Sequence, residues 1–414
     1  MSIGPIPNTP TTTTPLWSFG RGRDEVVTGI PTSGPLRSFR QGRGRTKKVT
    51  PSVFCQGTGN RVRTAQNEQK VGPMLPNTLL RLRTLRAAAP PSKFFSTTTT
   101  SFPFFNSTAA DWLHEHMPSS SDLHSHPTTM KRFPDGAQYR LEIPSTEGLE
   151  SLKSVVEEAK KYNVTVHRVS QGSGINMMPK WEMLEMLRLG RDEGMEVCLF
   201  VTPRNAWDVS AVARTDAGKN GVSGHRGMDQ LVFALEDVMR GCDRGVRSIL
   251  TNDWGLLWAI DEMKTQGKLP STLVQKISVQ MGPPNALSAA LLEKTGAGTI
   301  NPPTDLTVPQ LAAIREATDV PMDIYVEAPD NFGGFVRSYE VPQMVRSCSP
   351  MYIKLGLKNH ADIYPSGGHL ESHVCALSRE RVRRARMVLD LMEEYAPELV
   401  MSERGAKGLG IPEL

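Results

Sequence analysis

The chain has 414 residues, 22% of them charged, and a formal net charge of +5 at neutral pH. The surplus belongs to its first part: residues 1–110 hold 15 Lys and Arg against three acids, whereas residues 131–414 hold 33 against 37, so the net charge gives no reason to expect nucleic acid on the folded part. No apolar run reaches the ~18–20 residues of a membrane-crossing helix, and five scattered cysteines without a CxxC favour neither a disulfide framework nor a thiolate-held zinc or iron–sulfur site.

Residues 1–130 are rich in Pro, Thr, Ser, Gly and Arg and poor in periodic apolar residues. A stretch of that composition buries too little surface to offset its ordering entropy, so a long disordered N-terminal extension is expected. Within it, Met74–Ser101 interleaves Arg81, Arg83 and Arg86 with leucines, and no acid occurs between Glu68 and Asp111. This is the composition of an organellar transit peptide. A mitochondrial destination is one expectation, a cytoplasmic one the other, and the stretch makes Met74 a second candidate start. Four histidines in Asp111–Pro127 read as a solvated tail, because no surrounding fold fixes them as ligands.

From Phe133 the pattern changes to strand and helix signals in alternation. Tyr139–Ile143 is a strand, after which Ser145 or Thr146 caps a helix with Leu149, Leu152, Val155, Val156 and Ala159 on one face. Asn163–Ser170, Glu196–Thr202, Val246–Asp253, Gln275–Gln280, Gly298–Asn301, Met322–Glu327 and Met351–Gly356 follow, each leading to a helical segment. Eight such units in residues 131–398 have the size and order of a (β/α)8 TIM barrel, leaving 399–414 as a C-terminal tail.

Central strands of an open doubly wound sheet read as continuous apolar runs. These strands alternate, which a barrel with a polar lumen explains better. Parity then turns Arg140, Glu142, Lys276, Asn301, Tyr325, Glu327 and Lys354 inward. In such barrels the active site lies at the C-terminal strand ends. Glu327 and Lys354 are the candidate acid/base and its partner or amine nucleophile, with Asp253 as a further catalytic carboxylate. The alternative is a lumen salt bridge that fixes register. Glu142, Arg168, Gln171, Arg204, Gln280, Asn301 and His369 complete the candidate substrate-binding set.

Gln171–Gly174 is either an anion-cradling turn or an ordinary strand–helix turn. The long polar segment Pro203–Gly227 is a candidate lid. His369 and His373 would share one face of a helix, as metal-binding pairs do; the other reading is a capped helix start, and no metal ligand set is assigned. The cofactor is open: a divalent metal is one reading, and an iron–sulfur cluster is disfavoured by the cysteine spacing.

The segments HRVSQGSG, LVFALEDV, KISVQMG, TINPPTDL, DIYVEAPDNFGGFVR, YIKLGLKN and IYPSGGHLE resemble the TIM-barrel proteins of peptidase family U32, in its compact single-barrel branch, over residues 133–395. The resemblance implies a peptidase-like hydrolase whose catalytic type is undefined. Other members hold an iron–sulfur cluster through four cysteines, and this chain departs from that branch. The residues themselves also fit a small-molecule lyase or isomerase acting on a carboxylate or phosphate. A third reading is a non-catalytic binding or assembly protein. The expected partner is a small molecule or peptide, with no nucleic acid and no membrane.

Overall fold

The structure is a computed structural model that describes residues 128–203, 211, 215 and 224–414. The N-terminal extension, its Met74–Ser101 stretch, the histidine-rich segment, Arg204 and most of the candidate lid lie outside the described residues.

Seven parallel strands form one curved sheet, with helices between successive strands, in an α/β TIM-like fold. The strands are β1 (Tyr139–Pro144), β2 (Arg168–Gln171), β3 (Glu196–Phe200), β4 (Ser248–Thr251), β5 (Val274–Ile277), β6 (Met322–Glu327) and β7 (Met351–Leu355). Their order is β5-β4-β3-β2-β1-β7-β6. The helices are α1 (Leu149–Tyr162), α2 (Lys180–Asp192), α3 (Gly227–Cys242), α4 (Trp254–Thr265), α5 (Ala286–Lys294), α6 (Val308–Ala317), α7 (Val341–Cys348) and α8 (Glu371–Tyr395). The expected eighth strand is reduced to two parallel bridges, Lys276↔Thr299 and Ile300↔Met322. Thr299 and Ile300 thus touch both sheet edges, and Pro302 and Pro303 directly beyond cannot donate to a ladder.

The outward face of the strands, including Leu141, Ile143, Val197, Leu199, Ile249, Ile324 and Ile353, is fully or almost fully buried beneath the helices in one apolar cluster. Burial of each such side chain contributes about 1.5–3 kcal/mol. The expected cap of α1 differs from the observed one. Ser145 lies at φ 57° and bonds to the Tyr364 hydroxyl, while Thr146 Oγ1 donates to the Ile143 carbonyl. The first amide of α1 is held instead by Glu182 Oε1 of α2, 3.2 Å away.

Both ends of the described chain close the N-terminal mouth of the strands. Phe133 lies under the Arg140 guanidinium at 3.9 Å and edge-on to Tyr352. From the other terminus, Ser402 Oγ accepts from Arg140 Nε at 2.9 Å and the Lys407 carbonyl accepts from Arg140 Nη2 at 2.7 Å. The Gly410 amide donates to Glu196 Oε2. The C-terminal segment is therefore part of the barrel floor.

His167 ties this floor to β1, accepting the Leu141 N–H at Nδ1 and donating from Nε2 to the Ser402 carbonyl. Burial lowers its pKa from 6.5 to about 4, against the opposing pull of that carbonyl. Between those values the unfolded chain binds a proton that the folded chain does not, so stability is lost as pH falls through the window, by about 3 kcal/mol in all. Urea unfolding across pH 4–6.5 should show this slope, and His167→Gln should flatten it; an unchanged slope in the variant would assign it to other groups.

Candidate functional site

The register sets charge against charge in the lumen. β1–β2 pairing places Glu142 beside Arg168, β2–β3 pairing places Arg168 beside Glu196, and β1–β7 pairing places Glu142 beside Lys354. All four side chains are buried. Arg168 donates to Glu196 Oε1 at 2.6 Å, Asp323 Oδ1 at 2.7 Å and Glu142 Oε2 at 3.3 Å, while its guanidinium lies 3.7 Å from the Tyr352 ring centre. Lys276 bonds Glu142 and stands 3.3 Å from Asp323 Oδ2. Ser170, Ser248 and Thr299 donate hydroxyl protons to Glu142, Glu196 and Asp323. Three cations, Arg168, Lys276 and Lys354, thus balance three carboxylates, Glu142, Glu196 and Asp323.

Glu142 shows the electrostatics of this set most clearly. Burial alone would raise its pKa, but Lys276, Lys354 and Arg168 outweigh it and hold the carboxyl well below the ordinary range. Lys354 lies 3.6 Å from Glu142 Oε1 and 4.2 Å from the Tyr325 ring centre. With the Asn301 amide oriented to satisfy its neighbours, Oδ1 accepts from Lys354 Nζ at 2.8 Å and the amide nitrogen donates to the Asp323 carbonyl at 2.7 Å. Cys198, Phe200 and Leu250 form a small buried apolar cluster apart from the main core, on the sheet face that also carries Glu196 and Ser248.

Glu327 does not join Lys354. Register slips between Tyr325 and Glu327, so that Tyr325 pairs with Lys354 and Glu327 with Leu355. The extra residue in β6 reverses the parity beyond it. Glu327 turns toward the loop after β7, where its Oε1 accepts the Lys358 N–H at 2.9 Å, and toward α8. Its Oε2 is 3.4 Å from Arg384 Nε, an ion-pair distance without hydrogen-bond geometry.

The turn Gln171–Gly174 does hold a carboxylate, and it is the chain's own. Glu147 accepts from the Gly172 N–H at 2.6 Å and from the Ser173 N–H and hydroxyl at 3.0 and 2.5 Å. Gln171 folds back on the same turn, accepting the Gly174 N–H at 2.8 Å. His369 is exposed in a 3-10 turn (Gly368–Leu370) that leads into α8, whereas His373 lies in the first turn of α8, so the two are not on one continuous α-helix. Among the described residues no cluster of three or more His, Cys, Asp or Glu has the proximity to hold a metal. Burial pushes the thiols of Cys198 and Cys348 up to about 12, which leaves them as core side chains rather than nucleophiles.

Asp253 and Gln280 meet at a different place. A cleft of about 520 Å³ opens at the C-terminal ends of β4 and β5, lined by Asn252, Asp253, Trp254, Gln280, Met281 and Ser288 with glycine and proline between them. Asp253 caps α4 through Oδ1, which accepts the Leu256 N–H at 2.8 Å, and its Oδ2 accepts the His225 N–H at 2.8 Å. The His225 ring is only 2% exposed, with Nδ1 3.7 Å from Asp253 Oδ2, and neither ring nitrogen has a hydrogen-bond partner. Burial would raise the Asp253 pKa, but His225 and the two amides outweigh it and bring the carboxyl down to about 2. Sequence reasoning placed His225 only in a polar loop; its adjacency to Asp253 is a tertiary contact across 28 residues.

The chain matches no protein-family model and no curated protein. Among solved structures it is similar to the U32 peptidase Mk0906, at 13% identity over 60% of this chain and 88% of that one, with a TM-score of 0.32. CutC from Streptococcus agalactiae matches at 13% identity over 52% and 99%, TM-score 0.34. The carboxyl transferase domain of Rhizobium etli pyruvate carboxylase, with oxamate and biotin, matches at 14% identity over 66% and 50%, so this chain spans half of that structure, TM-score 0.34. Likenesses at this level carry no argument about activity, and the resemblance to family U32 goes no further than them.

Glu142→Ala would strand Lys276 and Lys354 in the lumen without their shared carboxylate. Breaking a buried pair in this way costs about 3–5 kcal/mol. Glu327→Gln, whose partner Arg384 is partly solvated, should cost less than about 1.5 kcal/mol. Urea denaturation of the two variants checks the order; equal costs would contradict the placement of Glu327 outside the lumen network.

Proposed function

We propose that this chain is an enzyme of the TIM-like α/β class that moves a proton on a small polar molecule held in the β4–β5 cleft, with His225 and Asp253 as the pair that does so. The reading is carried by the buried His225 ring, whose two nitrogens are both unpartnered beside Asp253. An unsatisfied buried polar group costs about 1–3 kcal/mol and calls for an explanation, which a bound ligand or a catalytic task supplies. Asp253 itself, ionised down to about pH 2, is a weak proton acceptor. Its work is to orient the imidazole, the side-chain type that exchanges protons most readily near neutrality. A contraction of about 0.7 Å would bring their 3.7 Å separation to a hydrogen bond, as catalytic contacts often tighten only with substrate bound.

The cleft volume falls in the range of small-molecule sites. The Asn252 and Gln280 amides, 3.5 Å apart, supply both donors and acceptors for a polar substrate. Ser288, the hydroxyl residue of the lining, has its Oγ committed to Asn285 at the α5 cap rather than to an imidazole. These features favour proton abstraction at carbon, as in a lyase or isomerase, over a serine-type hydrolase acting on an extended peptide.

Incubating the full-length protein with a deproteinised cell extract in D2O, followed by mass spectrometry, tests this directly. The wild type should place deuterium in a small polar metabolite, and His225→Gln should lower that exchange by about 10²–10⁴-fold. Exchange that survives the substitution, or that the wild type never produces, would overturn the reading.

A further inference from the structure

We infer that the outer face of α3, α4 and α5 is the seat of a second copy of this chain. Each of these consecutive helices carries an exposed apolar pair at i, i+4: Met228 and Val232, Trp254 and Trp258, Leu287 and Leu291, with Phe233 beside the first. That spacing puts each pair on one stripe of its helix. Exposure reaches 84% at Leu287, 71% at Met228, 61% at Phe233 and 59% at Trp258. On the other helices exposed large apolar side chains come singly, Trp181 on α2 and Met387 on α8.

The stripes adjoin. α3 packs on α4, Asp261 of α4 fills the space where a Cβ of Gly296 after α5 would stand, and Trp254 and Ser288 share the cleft at the other end. α4 and α5 also bury an inward face, through Leu256, Leu257 and Ile260 and through Ala289 and Leu292. Both therefore carry large apolar side chains on an inward and an outward face, and an apolar outward stripe of that kind is ordinarily covered in the working assembly. Aromatic side chains alone present roughly 150–250 Å² each. Seven large apolar side chains, each near half exposed or more, therefore offer an area on the order of the 800 Å² per partner of a standard interface.

An apolar patch of that size exceeds what monomers ordinarily expose. Permanent homodimers have the most apolar interfaces, and self-association through one isologous patch is the commonest symmetric assembly, which selects a second copy over a transient partner. Because Trp254 belongs to both the patch and the cleft wall, the second copy sits at the edge of the cleft. This inference stands independently of the proton-transfer reading.

Sedimentation velocity on the full-length protein at micromolar concentration tests it. The wild type should be a dimer, and Trp258→Glu with Leu287→Glu should weaken association at least 100-fold while Trp181→Glu leaves it unchanged. Should the double variant misfold, Leu287→Arg alone, at the most exposed position, carries the test. A monomeric wild type, whether free or bound to phosphatidylserine vesicles, would overturn the inference, as would a folded double variant that stays dimeric.

Discussion

The barrel interior depends on one alternation of charge. Across three ladders the register reads Glu196, Arg168, Glu142, Lys354, so each of these four finds its opposite on the neighbouring strand, and Lys276 and Asp323 complete the set across the lumen. A parallel pair slid by one residue would reverse the faces and present carboxylates and cations to the apolar helices. Removing these charges from water is expensive, and only mutual pairing with further hydrogen bonds offsets it. The serine and threonine hydroxyls on Glu142, Glu196 and Asp323 supply those bonds, as does the Gly410 amide from the C-terminal segment. The far end of the chain is thus bound into the same constraint as its first strand.

That constraint leaves the lumen with little to offer a substrate. Lys354 is held by Glu142, Asn301 and the Tyr325 ring, and Arg168 lies against Tyr352. The turn after β2 follows the same logic, with Glu147 in the place an anionic ligand would take. Polar side chains left incompletely satisfied are informative for this reason. Where His225 stands beside Asp253 of the cleft lining, the pairing stops at 3.7 Å and leaves both ring nitrogens without a partner, whereas Arg168 keeps three hydrogen-bonded carboxylates in the lumen.

Much of this was legible in the sequence, and the rest was not for definite physical reasons. Period-two alternation carried the parallel α/β arrangement and turned Glu142, Lys276, Asn301 and Lys354 inward, because parity holds wherever a strand is regular. It failed for Glu327, since a bulge reverses parity and no residue in MDIYVE announces one. The same rule applied to EVCLF would have found Glu196, which shares a face with Cys198 and Phe200. Gly298–Asn301 reads as a strand but forms only bridges, with two prolines beyond it. Glu147 and His225 had no periodic signal at all, because each acts through a tertiary contact with a turn or a cap. The C-terminal segment reads as a tail, and its partners on Arg140 and Glu196 lie more than 200 residues away.

The lumen lysines are structural in this reading, and chemistry belongs at the β4–β5 rim. Competitive acetylation of the native protein, read residue by residue by mass spectrometry, tests this on the wild type. Lys276 and Lys354 should stay unmodified until the protein unfolds, while the exposed Lys153 and Lys161 are acetylated in the folded protein. Acetylation of Lys354 in the folded protein at a rate comparable to those surface lysines would mean that the lumen is open to small molecules and that its lysines are available for chemistry.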